Sequence, residues 1–316
     1  MAIKDHDLSV NFCDGEKRVK FRYPWGNASG IWANVQYLEA NQEYMGFAVT
    51  KSTGTKEKMG NESPTVHEVS PGVVINAVGL PNPGRVAKRD EIDNANFYIP
   101  VIASIFGNSP EEIAEITQYL NECKAIKGFK VNISCPNIEP DEQTGIAIGK
   151  VPELTYKYIR AARDNTEKIV IAKHTPATYI WDIGLFDDVV YAAEDGGADA
   201  HSAINTIPGA MAIDIYSGRP ILSAGRGGLS GRGIKPIGIG CVYRIREISG
   251  KPIIGMGGIE TAEDVVEYMR AGASAVAVGT GLKYKQNLFS KLTRDLHALM
   301  DDLDVGRVSE LVGVVE

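Results

Sequence analysis

From the neighbourhood of Phe47 onward, short apolar runs rich in strand-forming residues recur along the chain: GFAVTK, PVIASIF, GFKVNIS, KIVIAKH, ADAHSAINT, PIIGMGG and AVAVGT. Amphipathic segments with helical spacing lie between them. Runs that are continuously apolar, without polar alternation, belong to strands covered on both faces, so the rhythm predicts parallel strands joined by helices. An earlier run, RVKFRYPWGNASG, supplies one further strand and brings the count to eight. Helix starts are marked by their caps. Ser109-Pro110-Glu111-Glu112 puts a hydroxyl at the N-cap, proline at the first helical position and a carboxylate at the third, and Thr261-Ala262-Glu263-Asp264 is similar. Behind the second cap Val265, Val266 and Met269 share one apolar face, while Glu263 and Glu267 point to water. Eight strand and helix units close most naturally into a (β/α)8 barrel, and no repeat, low-complexity tract or linker divides residues 1–316, so a single domain is expected.

Three connections exceed the usual two to six residues of such loops: 52–80, 136–152 and 208–236. All follow strand C-terminal ends, the face on which barrel enzymes keep their active sites, and their glycine and proline content suggests a roofed pocket. Composition narrows the choices. Of the 316 residues 44% are hydrophobic and 23% charged, which is ordinary for a globular chain with a large core. Lys+Arg 33 against Asp+Glu 40 gives 33 − 40 = −7, so the global field repels polyanions and nucleic acid is an unsuited partner. Cys13, Cys123, Cys135 and Cys241 form no CxxC pair, which fits neither a disulfide framework nor a zinc or iron–sulfur site. The start MAIKDHDLSV lacks the apolar core of a signal peptide, and no run of about 18 apolar residues occurs. A cytoplasmic protein with no membrane partner is expected.

The strand ends carry the chemistry. Asn27-Ala28-Ser29-Gly30, Lys51-Ser52, Ser104, Asn132 with Ser134 and Cys135, Lys173, Asn205-Thr206, Gly257-Gly258 and Gly279-Thr280 form a ring of amides, lysines, hydroxyls and glycines around one mouth. GMGGIETAED followed by AVAVGTG has the look of a phosphate site, with glycines admitting the anion and each following helix turning free N–H groups and its positive dipole end toward it. Lys51 and Lys173 each end an otherwise apolar strand, and as a pair favour a bound anion over two snorkelling surface lysines. Cys135 follows Asn132 to Ser134, precedes a proline and opens a long loop. A thiol of intrinsic pKa about 8.5 in that position serves as nucleophile or base. Cys13, Cys123 and Cys241 read as inert core residues. His67, His174 and His201 have no metal spacing, His6 and His297 lie toward the termini, and no metal is expected. Arg219, Arg226 and Arg232 read as solvated loop charges.

These residues resemble a known family, the class 1 dihydroorotate dehydrogenases. The resemblance runs through NASG, TKS, INAVGLPNPG, VNISCPN, AINT, GGLSG, IKP, GMGGI and AVGT, and thus nearly the whole chain. Within class 1, AIDIYSGRPILSAGRGGLSGRGIKP is most similar to the NAD-linked 1B type. The resemblance implies FMN held by Ala28, Ser29, Gly30, Lys51, Ser52, Asn132, Lys173, Ile204, Gly231, Gly257, Gly258, Gly279 and Thr280. It implies dihydroorotate or orotate held by Lys51, Asn76, Gly79, Leu80, Asn132, Asn137, Asn205 and Thr206, with Cys135 and Lys51 as catalytic residues. Cys135 then removes the proton from ring carbon 5 while a hydride leaves carbon 6 for the flavin. Amides suit the ring's donor and acceptor edges, and lysine meets its carboxylate as a point charge.

The resemblance further implies a homodimeric core and an iron–sulfur flavoprotein partner that passes electrons to NAD. Some positions depart from the family pattern. Ser104 stands where many relatives carry asparagine, and His174-Thr175 follows Lys173 where leucine-serine is common, which puts the flavin contacts there in question. The loop IEPDEQTGIAIGK lacks the glycine-glycine-glutamine usual in the NAD-linked type, so NAD through a partner, fumarate and quinone all stay open as acceptors. The competing enzyme reading is a dihydropyrimidine dehydrogenase-like FMN subunit, separated by its lack of need for the orotate carboxylate.

Overall fold

A computed structural model describes residues 5–134, 148–285 and 287–315. Eight parallel strands form its centre: β1 (Trp25–Asn27), β2 (Ala48–Val49), β3 (Val101–Ile105), β4 (Ile126–Asn132), β5 (Ile169–Lys173), β6 (Ala200–Ala203), β7 (Ile253–Met256) and β8 (Ala275–Val278). They pair in sequence order, β8 returns to β1, and a parallel bridge between Gly26 and Phe47 joins β1 to β2. The sheet is thereby a (β/α)8 barrel. Every strand assigned from the apolar runs is present. RVKFRYPWGNASG divides in two: Trp25–Asn27 is the barrel strand, whereas Val19–Phe21 pairs antiparallel with Val10–Phe12. That hairpin buries Phe12 and Phe21, and Phe21 packs on Phe47 with ring centroids 4.6 Å apart.

Helices cover the barrel as the caps foretell. Ser109 accepts from Glu112 N to start Pro110–Asn121, and Thr261 with Asp264 forms a reciprocal capping box on Ala262–Arg270. Strand residues alternate between two cores. Phe129, Val131 and Ile133 face outward with Val101, Ala103 and Ile105 against Ile113, Ile116, Tyr158 and Ile159 of the helices. The lumen side of β4 carries Gly128, Lys130 and Asn132.

The excursions hold structure of their own. Val66–Ser70 and Val73–Asn76, from the first, join Ile207–Ala210 and Gly227–Gly231, from the third, in a four-stranded antiparallel sheet. This sheet is the roof over the barrel mouth. The second excursion falls mostly outside the described residues, and with it Cys135 and Asn137. Cys13, Cys123 and Cys241 are buried free thiols, and burial raises each, Cys13 to about 12 and Cys123 to about 11. Among the described residues no group of three or more His, Cys, Asp or Glu could hold a metal ion, and no helix is long and apolar enough to cross a membrane.

The seam between β1 and β2 has little backbone pairing, and a side chain supplies what is missing. Asn27, fully buried, donates from Nδ2 to Val49 O and accepts from Val49 N, both at 2.8 Å, so its amide mimics a strand neighbour. Asn27→Ala leaves two buried backbone groups of Val49 without partners. We expect it to lower the unfolding free energy by about 2–4 kcal/mol, read from the denaturant midpoint at unchanged m-value.

Candidate active site

At the C-terminal mouth the strand ends and the roof enclose a cavity of about 430 Å³, within the usual range for small-molecule sites. The lower wall comes from strand ends: Ala28, Ser29 and Gly30 after β1, Lys51 and Ser52 after β2, Asn132, Lys173, then Ile204, Asn205 and Thr206 after β6. Met256, Gly257 and Gly258 follow β7, and Gly279 and Thr280 follow β8. Asn76, Gly79, Leu80 and Gly231 come from the roof and its approaches. Each FMN or substrate candidate within the described part of the chain therefore lines this one cavity, whereas Asn27, Ser104 and Ser134 of the ring do not; Cys135 and Asn137 fall outside the described residues.

Several wall residues were not foreseen. Ile31, Val66, Val74, Val78, Ser230, Ile234, Met256 and Lys283 also face the cavity. Val66 and Val74 belong to roof strands, which VHEVSPGVVIN announces only through its two β-branched stretches about a Pro-Gly turn. Lys283 sits on the short helix Thr280–Tyr284 beyond the glycines.

The side chains are held by short local networks. Ser134 Oγ donates to Asn132 Oδ1 at 3.2 Å, and Asn205 Nδ2 donates to Ser134 O at 2.7 Å, so one residue orients both amides. Asn205 Oδ1 accepts from Thr206 N at 2.9 Å. Ser29 Oγ donates to Thr50 O at 2.9 Å and lies 3.1 Å from Ser52 Oγ, which is 2.8 Å from Ser104 Oγ. Ser104 thus lies behind Ser52 and does not line the cavity. It acts on the wall through that hydroxyl.

His174, the residue after the end of β5, is buried and does not line the cavity either. It packs against Phe186, and its Nε2 lies 2.9 Å from His201 Nδ1, whose Nε2 lies 3.0 Å from Glu194 Oε1. Hydrogen bonds from His201 and Ser249 pull the Glu194 carboxyl down to about 2, whereas burial pushes His174 and His201 below the usual histidine range.

The glycines form the cradle expected for a phosphate. Gly231, Gly257 and Gly258 have φ of 94°, 126° and 72°, conformations costly for other residues. A Cβ at Gly258 would lie 2.8 Å from Lys235 Cβ and 3.0 Å from Gly231 O. Backbone is therefore bare at the cavity wall. The expected use of the following helix needs correction: Asp264 Oδ2 already accepts from Glu260 N at 2.8 Å and Thr261 N at 2.9 Å. The capping box takes those donors, and Gly257, Gly258, Gly279 and Thr280 are the strand-end residues that line the cavity here. Lys51, Lys173 and Lys283 line the cavity and no carboxylate does so among the described residues. The donor set fits FMN: cationic groups and bare amides for a phosphate, and asparagines for a ring system with amide edges.

A barrel with a lysine-lined cavity on this face is the architecture of a barrel enzyme. A model of the dihydroorotate dehydrogenase family matches residues 8–300. The chain is 41% identical over 300 residues to the dihydroorotate dehydrogenase B (NAD(+)) catalytic subunit of Pyrococcus abyssi (strain GE5 / Orsay), covering 94% of this chain and 96% of that one. It is 40% identical over 271 residues to the subunit of the same name from Geobacillus kaustophilus (strain HTA426), covering 85% and 83%. The solved structure of DHODH in complex with ferulenol from Eimeria tenella shares the fold, with TM-score 0.81 at 21% identity, covering 98% of this chain and 88% of that one. The chain belongs to the dihydroorotate dehydrogenase family, a family of FMN-dependent oxidoreductases.

Two outcomes follow from this geometry. Gly258→Val places a branched side chain where backbone and Lys235 already stand, so the purified protein should retain less than about a tenth of its FMN, read from flavin absorbance per chain. The buried histidines bear on stability. Their folded pKa values are depressed, so the unfolded chain takes up protons near pH 6.5 that the folded chain refuses, and stability falls as pH drops through that value. Melting temperature should decline from pH 7.5 to 5.5, and less steeply in His174→Leu.

Proposed function

We propose that this chain oxidises (S)-dihydroorotate to orotate in de novo pyrimidine biosynthesis, with FMN as its redox cofactor. The supporting observation is the cavity itself: three lysines, oriented asparagines, a glycine cradle and no carboxylate, in a chain of this family. On this reading FMN is held by Ala28, Ser29, Gly30, Lys51, Ser52, Asn132, Lys173, Ile204, Gly231, Gly257, Gly258, Gly279 and Thr280. The substrate is held by Lys51, Asn76, Gly79, Leu80, Asn132, Asn137, Asn205 and Thr206.

When bound, FMN supplies the two-electron acceptor. Lys51 sets a positive charge beside Gly30, where a Cβ would lie 3.5 Å from its Nζ, and meets the substrate carboxylate. Asn132 spends its oxygen on Ser134 and keeps its amino group for a ring carbonyl. Asn205, fixed by the same serine, positions the ring from the far side. Cys135 immediately follows these residues and takes the proton from carbon 5 as a thiolate. Val66, Val74, Asn76, Ser230 and Gly231 of the roof close the side of the cavity opposite the strand ends.

The curated relatives are named as catalytic subunits, which supports a partner subunit for this chain. An iron–sulfur flavoprotein fits that role, because four scattered cysteines give this chain no cluster of its own. A homodimeric core and a cytoplasmic location complete the reading.

The purified protein should be yellow, with about one FMN per chain, and anaerobic stopped-flow mixing with dihydroorotate should bleach it, while dihydrouracil should not. Cys135→Ala should slow bleaching by about 10²- to 10⁴-fold while FMN and orotate still bind. Faster bleaching by dihydrouracil moves the assignment to a dihydropyrimidine dehydrogenase-like subunit. Near-normal bleaching in the alanine variant removes Cys135 as base, and rapid NAD reduction by this chain alone removes the partner.

A further inference from the structure

Beneath the cavity the barrel lumen holds a polar group that the reaction described above does not use. Phe129, Val131 and Ile133 pack outward, so Lys130 and Asn132 share the lumen face of β4. Asn132 lines the cavity, and Lys130 lies two residues deeper, about 6.6 Å along the strand. Lys130 is 0% exposed and its Nζ has no hydrogen-bond partner among the described residues. Ser202 Oγ, on β6 in register with Lys173, is likewise buried without a hydrogen-bond partner among the described residues.

The neighbouring strands offer no counter-charge. In register with Lys130 stand Ser104 on β3 and Ile171 on β5, and the charged group that acts on it is Lys173, another cation. Burial and Lys173 together hold the amine well below the ordinary lysine range. An apolar residue of similar volume would fill the space without this desolvation cost. A lysine here has a physical use only if negative charge arrives above it.

Such a charge comes with the FMN reading, on which this inference rests. Oxidation of the substrate delivers two electrons and one proton to the flavin, which leaves one negative charge on the ring system. We propose that Lys130 is a charge-matching residue for the flavin, a neutral amine while the flavin is oxidised and an ammonium while it is reduced. One proton from solvent forms the bond to Nζ, and no further electron moves. Lys173 lines the cavity wall, and Lys130, deeper in the lumen, is the responsive group. The coupling makes the reduction equilibrium more pH-dependent than the flavin's own proton would.

The experiment is spectroelectrochemical titration of the FMN-loaded protein between pH 7 and 9, with Lys130→Met and Lys130→Gln beside the unmutated chain. Flavin content and circular dichroism establish that each variant is folded, and glutamine keeps polarity without a titrating group. With two protons per two electrons the reduction equilibrium should fall about a hundredfold per pH unit in the unmutated chain, and about tenfold in both variants, where one proton remains. Equal dependence in all three proteins overturns the proposal, whether the common value is tenfold or a hundredfold. A chain that binds no FMN overturns the flavin reading itself, a result distinct from loaded variants that titrate alike.

Discussion

The barrel depends on closing one seam, and that closure is made by an asparagine amide where backbone pairing runs short. β1 and β2 share one backbone bridge, Gly26 to Phe47, and the Asn27 side chain adds two bonds to Val49. The approach is tight enough to dictate composition on both sides. A Cβ on Gly26 would sit 2.3 Å from Phe47 O, and one on Gly46 would sit 1.9 Å from Tyr23 O. The ligand-facing segments Ala28 to Gly30 and Lys51 to Ser52 emerge on either side of this seam. Ser29 then ties them together at Thr50 and Ser52. Site geometry and barrel closure are therefore one mechanical problem, solved by Asn27 below and a hydroxyl chain above.

The roof is solved differently. Its central pair, Val73–Asn76 with Gly227–Gly231, joins segments about 150 residues apart in sequence, and Gly227 and Gly231 are needed because the partner backbone comes too near for side chains. Loop closure over that length costs entropy that the short strands cannot recover alone. Ile75, Ala77 and Leu222 give the sheet a small core of its own. The roof is thus available to shape the cavity without altering the barrel below.

This division explains what could be read in the sequence. Barrel strands announce themselves locally, because burial on both faces makes each a continuous apolar run, and Lys51, Asn132 and Lys173 stand out as polar ends of such runs. Roof strands do not, since Val66–Ser70 is largely exposed and is stabilised by partners remote in the chain. Val19–Phe21 reads as part of the barrel strand in the sequence because periodicity alone cannot separate two short strands in one apolar stretch. The capping carboxylate at Asp264 was legible as a cap, but its competition with a ligand for the same N–H groups needs coordinates. Lys130 hid inside GFKVNIS, where a single charge in an apolar run looks like an outward-facing residue.

Charge placement reconciles an acidic chain with a cavity lined by lysines. The basic residues around the mouth are matched by carboxylates: Lys235 by Asp264 and Glu267, and Arg232 and Lys285 by Glu260. Glu68, on the roof, is engaged by the backbone N–H of Gly72. These pairs, whose lysine and arginine heads remain partly exposed, keep the acidic side chains occupied at the rim. Inside the wall the balance reverses, with Lys51, Lys173 and Lys283 facing a space that no carboxylate lines among the described residues. Coulomb interactions are stronger in that low-dielectric interior than at the rim. The local arrangement therefore outweighs the net charge of −7 within this cavity.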